Sequence, residues 1–273
     1  MLTLEKKNLI LQLVEKHSVV TVSNLAEVLG VSEVTVRKLL NSLSRQGLLR
    51  RTHGGAVSLS VPVRENDLQS KERTNVRKKR DIARKAYELI GDYDTVFLDA
   101  GTTTLELARM IRNGSKRNIS VITNGMNIAA ELLEAWDIEL ILIGGRVRHD
   151  VVSCVGPAAE AMVGSLVFDK AFIAANNLSV EHGVTTPHQT EAAFKRTAFQ
   201  AGRQRILLCD SSKFGSASMS KIRPLRDFDS IITDGGLVAG LRESFRAAGA
   251  ALIIAESRGG DPENGGSSDV TTN

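Results

Sequence analysis

Residues 96–111, VFLDAGTTTLELARMI, begin as an apolar run, turn at Gly101, set three threonines in a row and then settle into a helical period. That is a strand handing over to a helix. The first turn of such a helix carries unpaired backbone N–H groups and the positive end of the helix dipole, so the junction reads as a cradle for an anion. No Gly-Lys-Ser/Thr follows, so a nucleotide-hydrolysing phosphate loop is unsupported. The junction either transforms a phosphorylated ligand or senses it.

The same alternation continues outward. Strand-like runs at 94–100, 119–124, 138–145, 170–177, 205–210 and 230–235 are separated mostly by helical stretches such as TLELARMI, GMNIAAELLEAW and TEAAFKRTAFQAG. Continuous apolar strands alternating with helices predict an α/β domain with a mostly parallel sheet covered on both faces. Ligands of such sheets bind at the carboxyl ends of the strands. Polar and glycine residues gather at those predicted ends: Asp99 and Gly101 with Thr102, Thr103 and Thr104; Thr123 and Asn124; Gly144, Gly145 and Arg146; Asn176 and Asn177; Asp210 and Lys213. The glycines allow close backbone approach, the threonines offer hydroxyl and backbone donors, and Lys195 (from TEAAFKR), Asp210 and Lys213 can grip hydroxyls and phosphate. Alone, each is an ordinary turn, strand end or solvated lysine. Together they point to a small anionic ligand.

Upstream the pattern changes. LEKKNLILQLVEKH places Leu4, Ile10, Leu11, Leu13 and Val14 at helical spacing. Ser23 is positioned to cap a second helix that stops at Gly30. Ser32 then starts a third, with Val34, Val36, Leu39, Leu40 and Leu43 as its inner face and Gly47 at its end. Next, LLRRTHGGAVSL reads as a β-hairpin turning at His-Gly-Gly. Three helices and a hairpin make a winged helix-turn-helix, whose second motif helix enters the DNA major groove. Candidate DNA contacts are Ser32, Glu33, Thr35, Arg37 and Lys38 on that helix, and Arg50, Arg51 and His53 on the wing. The competing account is a small protein-contact module with basic residues for solubility.

Charge distribution favours DNA. Residues 1–60 carry eight Lys/Arg against four Asp/Glu and residues 61–80 seven against three, while the remaining 193 carry twenty against twenty-four. The positive charge sits in the first eighty residues, as expected of a basic module that meets a polyanion. Aromatic content of 4%, with Trp136 the single tryptophan, argues against a stacking platform for single-stranded nucleic acid. No apolar run suits a membrane span and the first ten residues lack a signal-peptide layout, so a cytoplasmic protein is expected. Cys154 and Cys209 lack metal-ligand spacing and sit in apolar surroundings, so they are expected to be buried free thiols; no metal or cofactor is expected.

The stretch VSNLAEVLGVSEVTVRKLLNSLSRQGLLRRTHGGAV resembles the signature of DeoR-type bacterial transcriptional regulators, with Leu39 where that pattern usually has Asp. FLDAGTTTLELA, VITN, LIGGRVR, VGPAAE, FDKAFIAANNL, GVTTP, EAAFKR and LLCDSSKFG are similar, in order, to the same family's effector-binding domain. The likeness covers roughly residues 1 to 255. It implies a repressor that senses a phosphorylated sugar or sugar-derived metabolite, with a sensor domain related to sugar-phosphate isomerases of the ribose-5-phosphate type.

That relationship raises an enzyme as the rival, since isomerisation needs a general base, commonly a carboxylate. Isomerases of that type carry acids in a DGADE-like loop, where this chain has Asn176 and Asn177 in IAANNLS. A carboxamide recognises a hydroxyl but cannot take its proton at neutral pH, so a sensor is expected and catalysis is not. The family's pattern more often has Asp-Gly at these two positions, and an asparagine at 177 tolerates a left-handed backbone. The expected organisation is a winged helix-turn-helix over 1–58, a charged connection over 59–78, an effector-sensing and oligomerisation domain over 79–256, and a disordered tail over 257–273. In the connection, RKKR at 77–80 reads as the solvated start of a helix. Paired half-sites in operator DNA imply a homodimer or larger homo-oligomer.

Overall fold

The computed structural model describes residues 3–17, 19–52, 54–57 and 68–257, in two compact units, Met1–Glu65 and Asn66–Asn273. His53, residues 58–67 and residues 258–273 lie outside the described residues, so the expected tail, the wing histidine and the first half of the expected connection do too.

The first unit runs α1 (Thr3–His17), β1 (Val19–Thr21), α2 (Val22–Leu29), α3 (Glu33–Arg45), β2 (Arg50–Thr52) and β3 (Gly55–Val57), with the strands in the order β1-β3-β2. Ile10, Val14, Leu25, Val36, Leu40, Leu43 and Leu49 are buried together, each side chain contributing about 1.5–3 kcal/mol on leaving water. Leu39 joins this core at 7% exposure. Ser32 caps α3, its Oγ accepting from the Thr35 N–H at 3.4 Å. Two expectations fail. The cap of α2 is Thr21, whose Oγ1 accepts from the Asn24 N–H at 3.2 Å, because the Val22 N–H is drawn to the Gly54 carbonyl at 2.8 Å and Thr21 is the last extended residue. Val34 is 62% exposed, since two residues before Val36 is about 200° round the helix. In the hairpin, a Cβ on Gly55 would lie 1.8 Å from the Val20 carbonyl oxygen, so only glycine lets β3 lie against β1 here.

The second unit contains α4 (Leu68–Arg73), α5 (Val76–Glu88), β4 (Thr95–Leu98), α6 (Thr102–Asn113), β5 (Ser120–Thr123), α7 (Met126–Leu132), β6 (Glu139–Leu142), β7 (Arg146–Arg148), β8 (Ser153–Val155), α8 (Pro157–Gly164), β9 (Phe168–Ala174), β10 (Asn177–Ser179), β11 (Gly183–Thr186), α9 (Gln189–Ala201), β12 (Gly202–Leu208), β13 (Ser220–Arg223), β14 (Ser230–Asp234), α10 (Ala239–Ala247) and β15 (Leu252–Ala255). Seven strands form one parallel sheet in the order β15-β14-β12-β9-β4-β5-β6. One core, around Phe97, Phe168, Phe194, Leu207 and Ile231, and another, around Ile82, Leu98, Leu107, Phe172 and Ile232, cover its two faces.

From β4 the chain steps outward to β5 and β6, then returns to β9 beside β4 and steps the other way. The sheet's topological switch therefore lies between β4 and β9, where a crevice opens at the carboxyl ends. The small antiparallel sheet β10-β11-β13, the hairpin β7–β8 and the edge strand β15 had no counterpart among the expected strands. The connection expected over 59–78 is likewise structured from Leu68 onward: α4 and the start of α5 belong to the second unit, held by side chains that bond its strand-end loops. No described helix is long and apolar enough to cross a membrane.

Candidate functional site

Two neighbouring strand ends meet at the switch. Asp99 follows β4, donates its N–H to the Phe172 carbonyl at 3.0 Å, and is 1% exposed. Its Oδ2 accepts from the Ala174 N–H at 2.8 Å and from Lys195 Nζ. Lys195, 2% exposed on α9, also donates to the Ala174 carbonyl at 2.8 Å and pairs with Glu191 at 3.3 Å. Glu191 pairs onward with Arg148 of β7 at 2.7 Å, and Arg148 with Asp150. Charges thus alternate from the buried switch point to the β7–β8 hairpin. Burial by itself would lower the Lys195 pKa, but the flanking carboxylates of Asp99 and Glu191 outweigh it and hold the ammonium above the usual lysine value. Burial would likewise raise the Glu191 carboxyl, yet Lys195 and Arg148 hold it below the usual glutamate range.

The turn into α6 stands beside this cluster. Gly101 is fully extended, and a Cβ there would come within 2.7 Å of the Ala174 Cβ, so glycine lets the helix start press against the end of β9. Thr104 Oγ1 donates to the Asp99 carbonyl at 2.5 Å and to the Gly101 carbonyl at 3.0 Å, locking the turn. Thr123 Oγ1 donates to the Leu98 carbonyl at 2.7 Å; Asn124 Oδ1 accepts from the Ala100 N–H at 3.0 Å while its Nδ2 donates to the Cys154 carbonyl at 3.0 Å. These three side chains build the cradle by binding backbone. Thr102 is half-buried at its mouth and Thr103 is buried.

The remaining strand-end residues fall into two further groups. Asp210, buried after β12, accepts on Oδ1 from Asn75 Nδ2 at 3.1 Å, from the Ser212 N–H at 3.0 Å and from the Ser212 hydroxyl, and Lys213 ends the same short 3-10 turn. Gly144, Gly145 and Arg146 are exposed, and Arg146 lines a cleft of about 790 Å³ with Pro157, Glu160, Arg196 and Lys221, on the side of α9 away from Asp99. Asn176 Oδ1 accepts from Thr186 Oγ1 at 3.0 Å, and Asn177 bonds Ser216 and Ser218. Asn177 opens β10 in extended backbone and makes no use of its tolerance for a left-handed conformation.

Charged residues overlooked in the sequence complete the edge. Glu191 lies four residues before Lys195 on one helix face, a spacing that could have flagged it. Asp234 ends β14 and accepts from the Ser211 N–H at 2.7 Å and the Gly236 N–H at 2.8 Å; these bonds, with Lys78, hold its carboxyl below the usual range against the opposing effect of burial. Lys79, expected on a solvated helix start, is 4% exposed. Cys154 and Cys209 are buried free thiols.

In the first unit, Arg37 and Glu33 pair across one helical turn at 3.0 Å with both side chains at least half exposed, and Thr35 and Lys38 are exposed on α3. Arg50 and Arg51 lie on β2.

Residues 7–61 match the model of the DeoR-like helix-turn-helix domain and residues 74–235 that of the DeoR C-terminal sensor domain. The chain belongs to the DeoR family. Among its relatives, the HTH-type transcriptional regulator GlpR of Haloferax volcanii is 38% identical over 93% of this chain and 98% of its own. The putative aga operon transcriptional repressor of Escherichia coli O157:H7 is 36% identical over 92% and 94%. Of solved structures, ribose 5-phosphate isomerase A from Methanocaldococcus jannaschii matches 52% of this chain and 55% of its own, at 16% identity and a TM-score of 0.38. This DeoR-family protein is accordingly a transcriptional regulator with an N-terminal helix-turn-helix domain and a C-terminal sensor domain, and not an enzyme.

Proposed function

We propose that this DeoR-family regulator is a cytoplasmic, homo-oligomeric repressor of a carbohydrate-catabolism operon, and that a phosphorylated sugar bound at the strand ends changes its operator affinity. The observation that carries the sensor half is the charge-alternating cluster Asp99–Lys195–Glu191, buried at the β4/β9 switch beside the first turn of α6. Buried carboxylates and an ammonium suit the hydroxyls of a polyol, and the helix start suits its phosphate. On the DNA side, Ser32, Thr35, Arg37 and Lys38 at the start of α3, with Arg50 and Arg51 on the wing, supply base-edge and phosphate contacts. By linkage, a ligand alters DNA binding only by favouring one arrangement of the paired DNA-binding units over another.

A panel of sugar phosphates screened by thermal shift, followed by fluorescence anisotropy on promoter DNA from the genes adjacent to its own, tests both halves. An effector at a hundred times its Kd should stabilise the fold by about 2.7 kcal/mol and shift DNA affinity. A compound that stabilises the fold yet leaves DNA affinity unchanged would sink the coupling, and a panel without any stabilising member would sink the sensor assignment.

A further inference from the structure

Lys79 stands out among the cations of the second unit because its burial lacks a matching counter-charge. Lys195 is equally buried but touches two carboxylates. Lys79 is 4% exposed, and its Nζ donates to the main-chain carbonyl of Lys71. The carboxylates that act on it, those of Asp210, Glu106 and Glu72, do so from beyond ion-pair contact, and the Lys213 ammonium acts on it in the unfavourable sense. An ammonium withdrawn from water without an ion-pair partner costs several kcal/mol, and a second cation nearby adds to that cost. A fold retains such an arrangement where an anion joins it. Both lysines belong to the strand-end edge, since Lys213 follows β12 and Lys79 lies within electrostatic reach of Asp210 and of Glu106 in the second turn of α6.

The Lys71 carbonyl also matters. It lies in the last turn of α4, the first described helix after the boundary between the two units, and it accepts from the Thr74 N–H at 3.3 Å as well as from Lys79. Lys79 therefore ties down the carboxyl end of α4. Alongside, Asn75, in left-handed backbone at φ 55°, and Lys78 bond the loop that carries Lys213, through Asp210 and Ser212 and through Ser211 at 2.8 Å.

We propose that Lys79 is an anion-binding residue of the strand-end site, and that a phosphate drawn in beside Lys213 pulls its ammonium off the Lys71 carbonyl and loosens the end of α4. A phosphate oxygen outcompetes a neutral carbonyl because hydrogen bonds between two charged groups are about twice as strong. The segment released is the one that leads in sequence to the DNA-binding unit. This inference rests on the strand-end edge being the sensor site and adds the residue that reads the phosphate and passes its presence on.

Inorganic phosphate, compared with chloride at matched ionic strength, is the probe, applied to the full chain and to its Lys79→Met and Lys213→Ala variants. Phosphate should raise the Tm of the parent protein and speed hydrogen exchange at amides 68–74, and both responses should vanish in Lys79→Met. Without phosphate, Lys79→Met should melt at or above the parent temperature, because methionine fills the space without a buried charge. A purely structural lysine would give the reverse: a lower Tm with the phosphate response intact, and that result overturns the proposal. A response lost in Lys213→Ala but kept in Lys79→Met overturns it too, while leaving the strand-end site standing. Absence of any phosphate response in the parent removes both. A Tm response without faster exchange at 68–74 overturns the link to α4.

Discussion

The two units use cations in opposite ways. On α3 the guanidinium of Arg37 stays in water and pairs with Glu33 across one exposed turn, an arrangement worth a few tenths of a kcal/mol and readily exchanged for a DNA phosphate. On α9 the ammonium of Lys195 is out of water, and Asp99 and Glu191 depend on it as much as it depends on them. The contrast separates charge kept available for a large external polyanion from charge committed in advance to holding a crevice in shape. Lys79 falls between the two, buried like Lys195 but without an ion-pair partner among the described residues.

The sharpest break of this contrast is Lys195→Met. It should strand two buried carboxylates and cost about 3–5 kcal/mol in chemical denaturation. A loss under about 1 kcal/mol would mean that the cluster rearranges and is not committed. Replacing both Arg37 and Lys38 by alanine should leave the melting temperature nearly unchanged while weakening promoter binding at moderate salt. Each lost phosphate contact should lower the slope of log affinity against log salt by about 1. Unchanged binding would remove α3 from the interface.

Acid should separate the units as well. Glu191 and Asp234 have folded pKa values below their ordinary ones, so their contribution is present above the ordinary carboxylate range and is lost as pH falls through the depressed values. Differential scanning calorimetry from neutral pH down to about pH 3 should show the second unit losing stability steeply, and Glu191→Gln should flatten that slope. An unaltered slope would place the acid sensitivity elsewhere. The smallest effect is local: Thr21→Ala should cost about 1 kcal/mol through the lost cap of α2, while Ser23→Ala should cost only a few tenths. Equal losses would return the cap to Ser23.

Much of the molecule was legible in its order of residues. The alternation from residue 94 onward marked six strands of the large sheet, and DAGTTT marked the strand–helix junction that carries the cradle. Capping chemistry placed Ser32 at the start of α3 because a helix N-terminus must satisfy its own N–H groups within a few residues. Those are local rules, and a linear sequence contains them. The signals failed where a partner came from afar. Thr21 displaced Ser23 as a cap because Gly54, across the hairpin, claimed the Val22 N–H. The stretch 68–78 looked like a linker because its charges pair with residues more than a hundred positions away, as Asn75 does with Asp210 and Lys78 with Ser211.

What the sequence determined by itself is therefore the kind of elements, their order, and the strand ends at which polar residues collect, since periodicity and capping act over a few residues. Tertiary structure alone decided which of those ends share a crevice and what each polar group does there. Asp99 and Lys195 became one buried pair, Thr104, Thr123 and Asn124 became the scaffold of the turn, and Arg146 went to a separate cleft. The physical reason is burial. Folding sets how much water each charge loses, and that loss separates a solvated lysine such as Lys38 from one that needs a counter-ion, such as Lys79.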